Sequence, residues 1–205
     1  MNIGSIPAKT ARLAPDREAL IDVPNDRRIT YGELDRRVIK LANGFLYAGL
    51  KKGDRVAILS KNCIEYLEVY FACARVGLIA QPLNWRLGLE ELTRIIENGE
   101  PSILVCSDEY LDMANDLAEV VSRICVFGTN SDGSYEALVA AGSSNEPPTS
   151  SSVGGDDPVL ILYTGGTTGE SKGALHTHTS LYMGMLNQTV AERIVPTDVY
   201  MLTGQ

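Results

Sequence analysis

The sequence predicts an α/β protein whose mostly parallel sheet is layered between flanking helices. Short apolar runs alternate with helical patterns between residues 54 and 128, which gives the order β-α-β-α-β-α-β. Runs such as RVAILS and SILVCS are apolar along nearly their whole length, as expected for strands of a parallel sheet covered on both faces. With 205 residues and 44% hydrophobic residues, the chain is long enough to build a sizeable core.

The first elements are predicted from capping and turn signals. A short helix is expected in IPAKTARLAP, and EALIDV and RIT are expected to be strands joined by the turn PNDRR. Thr30 and Glu33 show the capping-box pattern, in which each side chain binds a backbone N–H group in the other's turn. The helix that follows has apolar residues near helical spacing, and Gly49 is well placed to end it.

The central strands and helices alternate in the same way. Strands are expected in RVAILS, LIAQPLN, SILVCS and RICVFG. Helices are expected in CIEYLEVYFACARVG, LEELTRIIENG and EYLDMANDLAEVV, and the first two should end at Gly77 and Gly99. The aromatic residues of YLEVYFACARVG recur at helical spacing, so we interpret this helix as core packing.

Composition divides the chain into two parts. Residues 1–141 are predicted to form a first α/β subdomain, and residues 142–157 are rich in Gly, Ser and Pro, which is typical of a linker or surface loop. Residues 158–205 should begin a second α/β subdomain, with the strand PVLILYTG, a glycine-rich loop, the helix SLYMGMLNQTVAERI and a strand in DVYMLTG. We expect this second unit to be truncated, since no element follows that would cover the last strand.

Charge and cysteine spacing exclude several classes of protein. A net charge of −8 and a pI of about 4.8 argue against nucleic acid or an anionic membrane surface as the main partner. No secretory signal and no transmembrane segment is recognisable, which predicts a cytoplasmic protein. No two of the four cysteines have the spacing of metal ligands or of a redox pair, so we expect buried free thiols and no metal site. These cysteines are Cys63, Cys73, Cys106 and Cys125.

The segment YTGGTTGESKG, residues 163–173, combines glycines, hydroxyl groups and one lysine directly after a predicted strand. Glycines allow backbone N–H groups to converge on phosphate oxygens, hydroxyl groups add donors, and Lys172 adds a positive charge. The nucleotide-triphosphatase loop needs Ser or Thr after its lysine, whereas Gly173 follows Lys172 here, and the G-x-G-x-x-G spacing is also absent. The residues thus indicate a phosphate loop of another kind, with a plain surface turn as the alternative.

This loop resembles the first phosphate-binding motif of the adenylate-forming superfamily, which includes acyl-CoA synthetases, firefly-type luciferases and the adenylation domains of peptide synthetases. It departs from the family pattern at Gly165, where Ser is usual, and at Ser171, where Pro is usual. The resemblance also covers residues 29–87, from ITYGEL to PLNWRL, and PLNWRL is most similar to the CoA-ligase branch. THTSL and DVYMLTGQ, after the loop, fit the same family.

The resemblance implies ATP-dependent activation of a carboxylic acid to an acyl-adenylate, followed by thioester formation with coenzyme A. Lys172 would be the catalytic residue, because its charge offsets that of the departing pyrophosphate. The residues that would bind the ATP phosphates are Thr164, Gly165, Gly166, Thr167, Thr168, Gly169, Ser171 and Gly173. ATP, Mg²⁺ and coenzyme A are the implied cofactors, although the Mg²⁺ ligand and the CoA site would lie in later sequence. A small-molecule carboxylic acid is the implied partner, and the resemblance is compatible with a homodimer.

Other functions stay open at this point. The acyl acceptor could instead be a carrier-protein thiol, or the reaction could be luciferase-like; alternatively, the chain could be a truncated nucleotide-binding module without catalysis. As a fragment it is expected to be inactive alone, because the family's other catalytic motifs would follow it. His178 matches a histidine often found after this loop and either has a structural role at the helix entry or lines the substrate site. Trp85 and Arg86 are either a packed tryptophan with a surface arginine or part of a ligand-facing loop.

Overall fold

The structure is a computed structural model that describes residues 1–165 and 171–202. The strands are β1 Glu18–Asp22, β2 Arg27–Thr30, β3 Arg55–Leu59, β4 Ile79–Leu83, β5 Ile103–Ser107, β6 Ile124–Phe127, β7 Pro158–Gly165 and β8 Ser171–Thr177. The helices are α1 Ile6–Leu13, α2 Tyr31–Tyr47, α3 Ile64–Val76, α4 Leu89–Gly99, α5 Leu111–Asp116, α6 Ser134–Ala141 and α7 His178–Ala191. Short 3₁₀ turns flank several of them.

The predicted α/β architecture is confirmed. A six-stranded sheet has the order β6-β5-β3-β4-β7-β8, and all neighbouring strands are parallel except β7 and β8, which are antiparallel. The strands β1 and β2 form a separate antiparallel pair. Among the described helices, none combines the length and apolarity needed to cross a bilayer.

Strand β3 shows why its sequence is apolar without alternation. Val56 and Ile58 pack into the core formed with α2, α3 and α6, whereas Ala57 and Leu59 pack into the core formed with α4 and α5. All four side chains are fully buried. The helices therefore cover both faces of the sheet, as expected for parallel strands.

Three predicted helix boundaries are confirmed by their geometry. The Thr30 hydroxyl accepts the Glu33 N–H at 3.2 Å, and the Glu33 carboxylate accepts the Thr30 N–H at 2.8 Å, so the capping box begins α2. At its end Gly49 has φ 90°. Helix α3 ends at Gly77, which has φ 77°, a conformation that glycine adopts without steric cost.

Helix α4 ends at Gly99, as predicted. The left-handed residue that follows it is Glu100, with φ 44°. Gly99 is required for space, because a Cβ there would lie 2.3 Å from Nε2 of the fully buried Gln81 on β4. That amide donates to the Ile95 carbonyl of α4 at 3.2 Å, so the glycine allows the helix to lie against the strand.

Three segments depart from the sequence-based elements. EYLDMANDLAEVV forms only the short α5 between two 3₁₀ turns, and α6, which was not predicted, fills residues 134–141. The strand expected in DVYMLTG is wrong over residues 198–202, which form no strand. A strand requires a partner to complete its backbone hydrogen bonds, and no described strand pairs with that segment.

The sheet continues across the segment predicted to be a linker. Residues 142–157 contain the 3₁₀ turn Pro148–Ser152, and Val153 is buried. Strand β7, which follows them, pairs with β4 through Leu160 and Ala80. The strands on either side thus belong to one sheet, and the division into residues 1–141 and 158–205 stays a prediction.

Helix α3 packs as predicted but also buries charged side chains. Glu68 is fully buried and accepts hydrogen bonds from Arg37 of α2 and from the Tyr135 hydroxyl of α6. Arg75, which is 2% exposed, donates to Asp35 at 2.7 Å and pairs with Glu146. Each buried charge therefore has a partner of opposite sign, as burial requires.

The four cysteines were predicted to be buried free thiols, which the reactivity of the thiols in the folded chain would test. All four cysteines are free, three of them are buried, and Cys63 is partly exposed. Burial raises the pKa of Cys63 to about 12, that of Cys106 to about 12 and that of Cys125 to about 11. For Cys63 this outweighs its position at the start of α3, where a thiol pKa is often lowered.

We therefore expect an aromatic disulfide reagent at pH 8 to label the folded chain at least a hundredfold more slowly than the chain unfolded in urea. A raised pKa leaves less reactive thiolate at that pH, and burial restricts access of the reagent. The unfolded control should release four equivalents of thiol per chain, the number of cysteines. Rapid labelling of one equivalent in the folded state would show that Cys63 escapes this protection.

Candidate phosphate-binding site

The described residues of the predicted phosphate loop, 163–165 and 171–173, lie at the adjoining ends of two paired strands. Strands β7 and β8 pair in antiparallel register, with Thr164 opposite Lys172, Gly165 opposite Ser171 and Tyr163 opposite Gly173. The side chains of Thr164 and Lys172 are exposed. Of the other predicted site residues, Gly166, Thr167, Thr168 and Gly169 lie outside the described residues.

Tyr163 attaches this β7–β8 hairpin to helix α4. Its hydroxyl donates to Oδ1 of Asn98, near the end of α4, at 2.7 Å. On the partner strand, a Cβ at Gly173 would lie 2.9 Å from Cδ1 of Ile161 and 3.2 Å from Cζ of Tyr163. Gly173 therefore leaves room for the tyrosine ring that reaches Asn98, a role that the sequence pattern alone did not assign.

Positive charge gathers at the same edge of the sheet. Because β3, β4, β5 and β7 are parallel, the residues that follow each strand lie at one edge. The guanidinium of Arg86 lies 4.1 Å from the centre of the half-buried Trp85 ring, and Nζ of Lys61 lies 5.3 Å from it. Tyr110 packs against the same ring at 6.2 Å, and Glu109 pairs with Lys61 at 2.5 Å.

The contacts around Trp85 bear on both interpretations of PLNWRL, as a packed tryptophan with a surface arginine or as part of a ligand-facing loop. Trp85 packs against the core and Arg86 is exposed, as the packing interpretation predicts. The stacked arginine nevertheless lies at the edge that also carries Lys172, on a chain whose net charge is −8. Glu109 pairs with Lys61, so Arg86 and Lys172 are the basic residues at this edge that suit an anionic ligand. Sequence reasoning did not find Lys61, since no motif connects it to the loop.

The described residues do not supply a magnesium site. Within residues 1–165 and 171–202, no group of three or more His, Cys, Asp or Glu side chains could hold a metal ion. Mg²⁺ needs oxygen ligands such as carboxylates in near-octahedral geometry. The carboxylates present here do not fit that requirement, so no chemical step is assigned to a metal held by this part of the chain.

His178 lies away from solvent at the base of the hairpin. It is the first residue of α7, its side chain is fully buried, and its Nδ1 accepts the backbone N–H of Ile3 at 3.2 Å. Burial lowers its pKa to about 4, so the imidazole is neutral near pH 7. These contacts favour the structural role at the helix entry; the alternative, that His178 lines a substrate site, stays a prediction.

Comparisons with known proteins agree with this geometry. The family model described as "AMP-binding enzyme" matches residues 8–204. A feruloyl-CoA synthase from Amycolatopsis sp is 38% identical over 188 residues, which cover 92% of this chain and 36% of that protein. The chain thus spans about a third of the length of this curated relative.

Solved structures show the same fold. ATP-bound MatB from Rhodopseudomonas palustris superposes with a TM-score of 0.79 at 33% identity, covering 97% of this chain and 39% of that one. A fatty acyl CoA synthetase from Mycobacterium tuberculosis has a TM-score of 0.78 at 26% identity, covering 88% of this chain and 35% of that one. With a family model that spans nearly the whole chain, these matches establish that the protein belongs to the family of AMP-binding enzymes.

Proposed function

We propose that this chain provides the ATP-phosphate side of an enzyme that activates a carboxylic acid as an acyl-adenylate and then forms its coenzyme A thioester. The observation that carries the proposal is the pairing of β7 with β8, which sets Lys172 opposite Thr164 at the edge of the sheet that also carries Arg86. Family membership supports it, and the compared relatives include a CoA synthase and an ATP-bound protein. The proposal concerns the whole enzyme, and this chain spans about a third of the length of a curated relative.

The proposed reaction places charge where this hairpin can stabilise it. A carboxylate oxygen attacks the α-phosphorus of ATP, the bond to the bridging oxygen breaks, and its electron pair leaves with pyrophosphate. Lys172 offsets the charge on that leaving group, and the hydroxyl of Thr164 donates to a phosphate oxygen. The other loop residues named from the sequence would add backbone and hydroxyl donors. The protein ligand of the implied Mg²⁺ would lie outside the described residues, which offer it no ligand set.

The chain alone is proposed to be inactive, because it spans about a third of a relative's length. In a protein of the relatives' full length, adenylate formation without CoA-dependent release of AMP would indicate an acyl acceptor other than coenzyme A. If the chain is a module without catalysis, both the 205-residue chain and a protein of the relatives' full length would bind ATP. Neither would then show carboxylate-dependent ATP–pyrophosphate exchange. Thioester formation by the 205-residue chain itself would contradict the proposed division of function.

Location and assembly are part of the same proposal. A cytoplasmic location is supported by four free cysteines, and a role in fatty acid metabolism by the likeness to a fatty acyl CoA synthetase. A homodimer is supported by the exposed apolar residues of α7, a helix whose sequence carries no Asp, Glu, Lys or Arg. These residues are Met183, Met185, Leu186 and Val190.

Replacing Lys172 with alanine tests the proposed site. We expect K172A to weaken ATP binding by the 205-residue chain about ten- to hundredfold, the range for loss of one hydrogen bond to a charged group. Equilibrium dialysis with radiolabelled ATP measures the dissociation constant, and K9A, which removes an exposed lysine from α1, is the control. Equal ATP affinity of the K172A and K9A variants would show that Lys172 does not contact the phosphates.

A further inference from the structure

His178 connects the base of the phosphate-loop hairpin to the start of the chain. Its ring accepts the Ile3 N–H, although the two residues are 175 positions apart in sequence. Its own backbone N–H donates to the Asp157 carbonyl at 3.2 Å, and the Thr179 N–H donates to the Gly155 carbonyl at 2.8 Å. His178 follows β8 directly, and β8 carries Lys172 at its other end. The contacts of His178 therefore bear on where that strand lies.

The N-terminal segment is a fixed attachment point. The amide of Asn2 donates to the Arg75 carbonyl at 3.1 Å, and the Arg75 guanidinium donates to the Gly4 carbonyl at 3.2 Å. Gly4 lies so close to α3 that a Cβ on it would be 2.3 Å from the Arg75 nitrogen. Ile3 lies between these two residues and is buried. A bond from Ile3 to His178 therefore ties the hairpin to α3.

The groups around His178 determine the protonation state and the tautomer of its imidazole ring. Lys52 pairs with the Asp157 carboxylate at 2.6 Å, and that carboxylate also accepts the Gly154 N–H at 2.7 Å. Burial lowers the pKa of His178, the charges of Lys52 and the Met1 amine lower it further, and Asp157 opposes them. A neutral imidazole that accepts at Nδ1 carries its proton on Nε2. Nε2 is buried, without a hydrogen-bond partner among the described residues.

We propose that His178 is a positioning residue for the phosphate-binding hairpin: its neutral ring accepts the Ile3 N–H at Nδ1 and so holds β8, and with it Lys172, against the N-terminal segment. The part concerning ATP rests on the proposed function. The part concerning the hydrogen bond rests on the geometry alone, and the two parts are tested separately.

Two substitutions of His178 distinguish the role of its Nδ1 atom from that of its Nε2 atom. In H178N the amide oxygen can take the place of Nδ1 and accept the Ile3 N–H, whereas in H178Q the longer side chain places its polar atoms near the position of Nε2. H176N is the matched control, because His176 is the other histidine and lies on β8. Trypsin cleavage after the exposed Lys172, identified by mass spectrometry, reports opening of the β7–β8 pairing.

We expect H178Q to raise the cleavage rate after Lys172 about tenfold, the factor for loss of one buried hydrogen bond. H178N and H176N should stay within about twofold of the unsubstituted chain. Equal rates for H178N and H178Q would overturn the proposal, since the hydrogen bond at Nδ1 would then not hold the strand.

The tautomer gives a readout that packing alone does not determine. The H176N variant contains a single imidazole, so the imidazole signals in its nitrogen-15 NMR spectrum belong to His178. We expect the neutral form with the proton on Nε2, unchanged from pH 8 to pH 5, because burial lowers the pKa to about 4. A proton on Nδ1, or a charged ring at pH 6, would contradict the assigned hydrogen bond.

ATP affinity completes the test. If the unsubstituted chain binds ATP, H178Q should bind it several-fold more weakly and H178N with nearly the original dissociation constant. Equal affinities in all three proteins would overturn the positioning role. If the unsubstituted chain binds no ATP, the proposed function of the loop fails, and the cleavage and NMR results still decide whether His178 holds the hairpin.

Discussion

Replacing Glu68 with glutamine is expected to lower the free energy of unfolding by about 3 kcal/mol, the lower end of the range for breaking a buried ion pair. Its carboxylate is fully buried and accepts Nε of Arg37 at 2.5 Å, Nη2 of Arg37 at 3.1 Å and the Tyr135 hydroxyl at 2.7 Å. Burial and the Glu68 carboxylate raise the pKa of Tyr135 well above its ordinary value, so the phenol remains a donor. A glutamine cannot satisfy all three donors, and the arginine charge loses its buried partner.

Guanidinium denaturation followed by circular dichroism measures this change. The control is Glu136→Gln, because Glu136 pairs with the same arginine at 2.7 Å but its side chain is 61% exposed. Solvent weakens that pair, so the control should lose less than about 1 kcal/mol. Similar losses from the two substitutions would mean that burial of Glu68 adds nothing to its interaction with Arg37.

Substituting Gly44 with alanine is expected to destabilise the chain by about 2 kcal/mol, although alanine is the better helix former. A Cβ at Gly44 would lie 2.2 Å from the Leu138 carbonyl oxygen, so α2 and α6 would have to separate. Overpacking of this kind costs about 1–3 kcal/mol or more, which outweighs the gain of about 1 kcal/mol from helix propensity.

Gly184 provides the matched control for this prediction. It lies in α7, is exposed, and a Cβ there would have no neighbour within 4 Å among the described residues. Gly184→Ala should therefore raise the free energy of unfolding by up to about 1 kcal/mol, the helix-propensity term alone. Denaturation curves of the two variants should shift in opposite directions. A stabilising effect of Gly44→Ala would contradict the close packing of α2 against α6.

Local patterns in the sequence were sufficient for much of the sheet and for part of the site. The apolar strands and the helices between them were placed by periodicity, and the capping box at Thr30 was recognised from two residues three positions apart. The glycines, hydroxyl groups and Lys172 of residues 163–173 were enough to predict a phosphate loop, and the resemblance of this segment to adenylate-forming enzymes implied which kind. Each of these signals involves residues near one another in the chain.

The contacts that build the site depend instead on residues far apart in sequence. Helix α6 was not predicted, although its Ala, Leu and Glu residues favour a helix, and its buried Tyr135 donates to Glu68, 67 residues away. Gly99 ends α4 as predicted, but only the structure shows that its lack of a side chain leaves room for the buried Gln81. Neither the bond from Tyr163 to Asn98 nor the bond from Ile3 to His178 has a local signature.

The sequence alone determined the α/β class and most helix and strand positions, because periodicity, caps and residue spacing act over a few positions, and it predicted the chemistry of the loop. Only the tertiary structure decided that β7 lies beside β4 and pairs with β8 in antiparallel orientation. It also decided that Lys61, Arg86 and Lys172 share one edge of the sheet. Strand order and side-chain partners are chosen by burying two faces of the sheet at once and by satisfying the polar groups buried with them, and both conditions are met only when distant segments pack together.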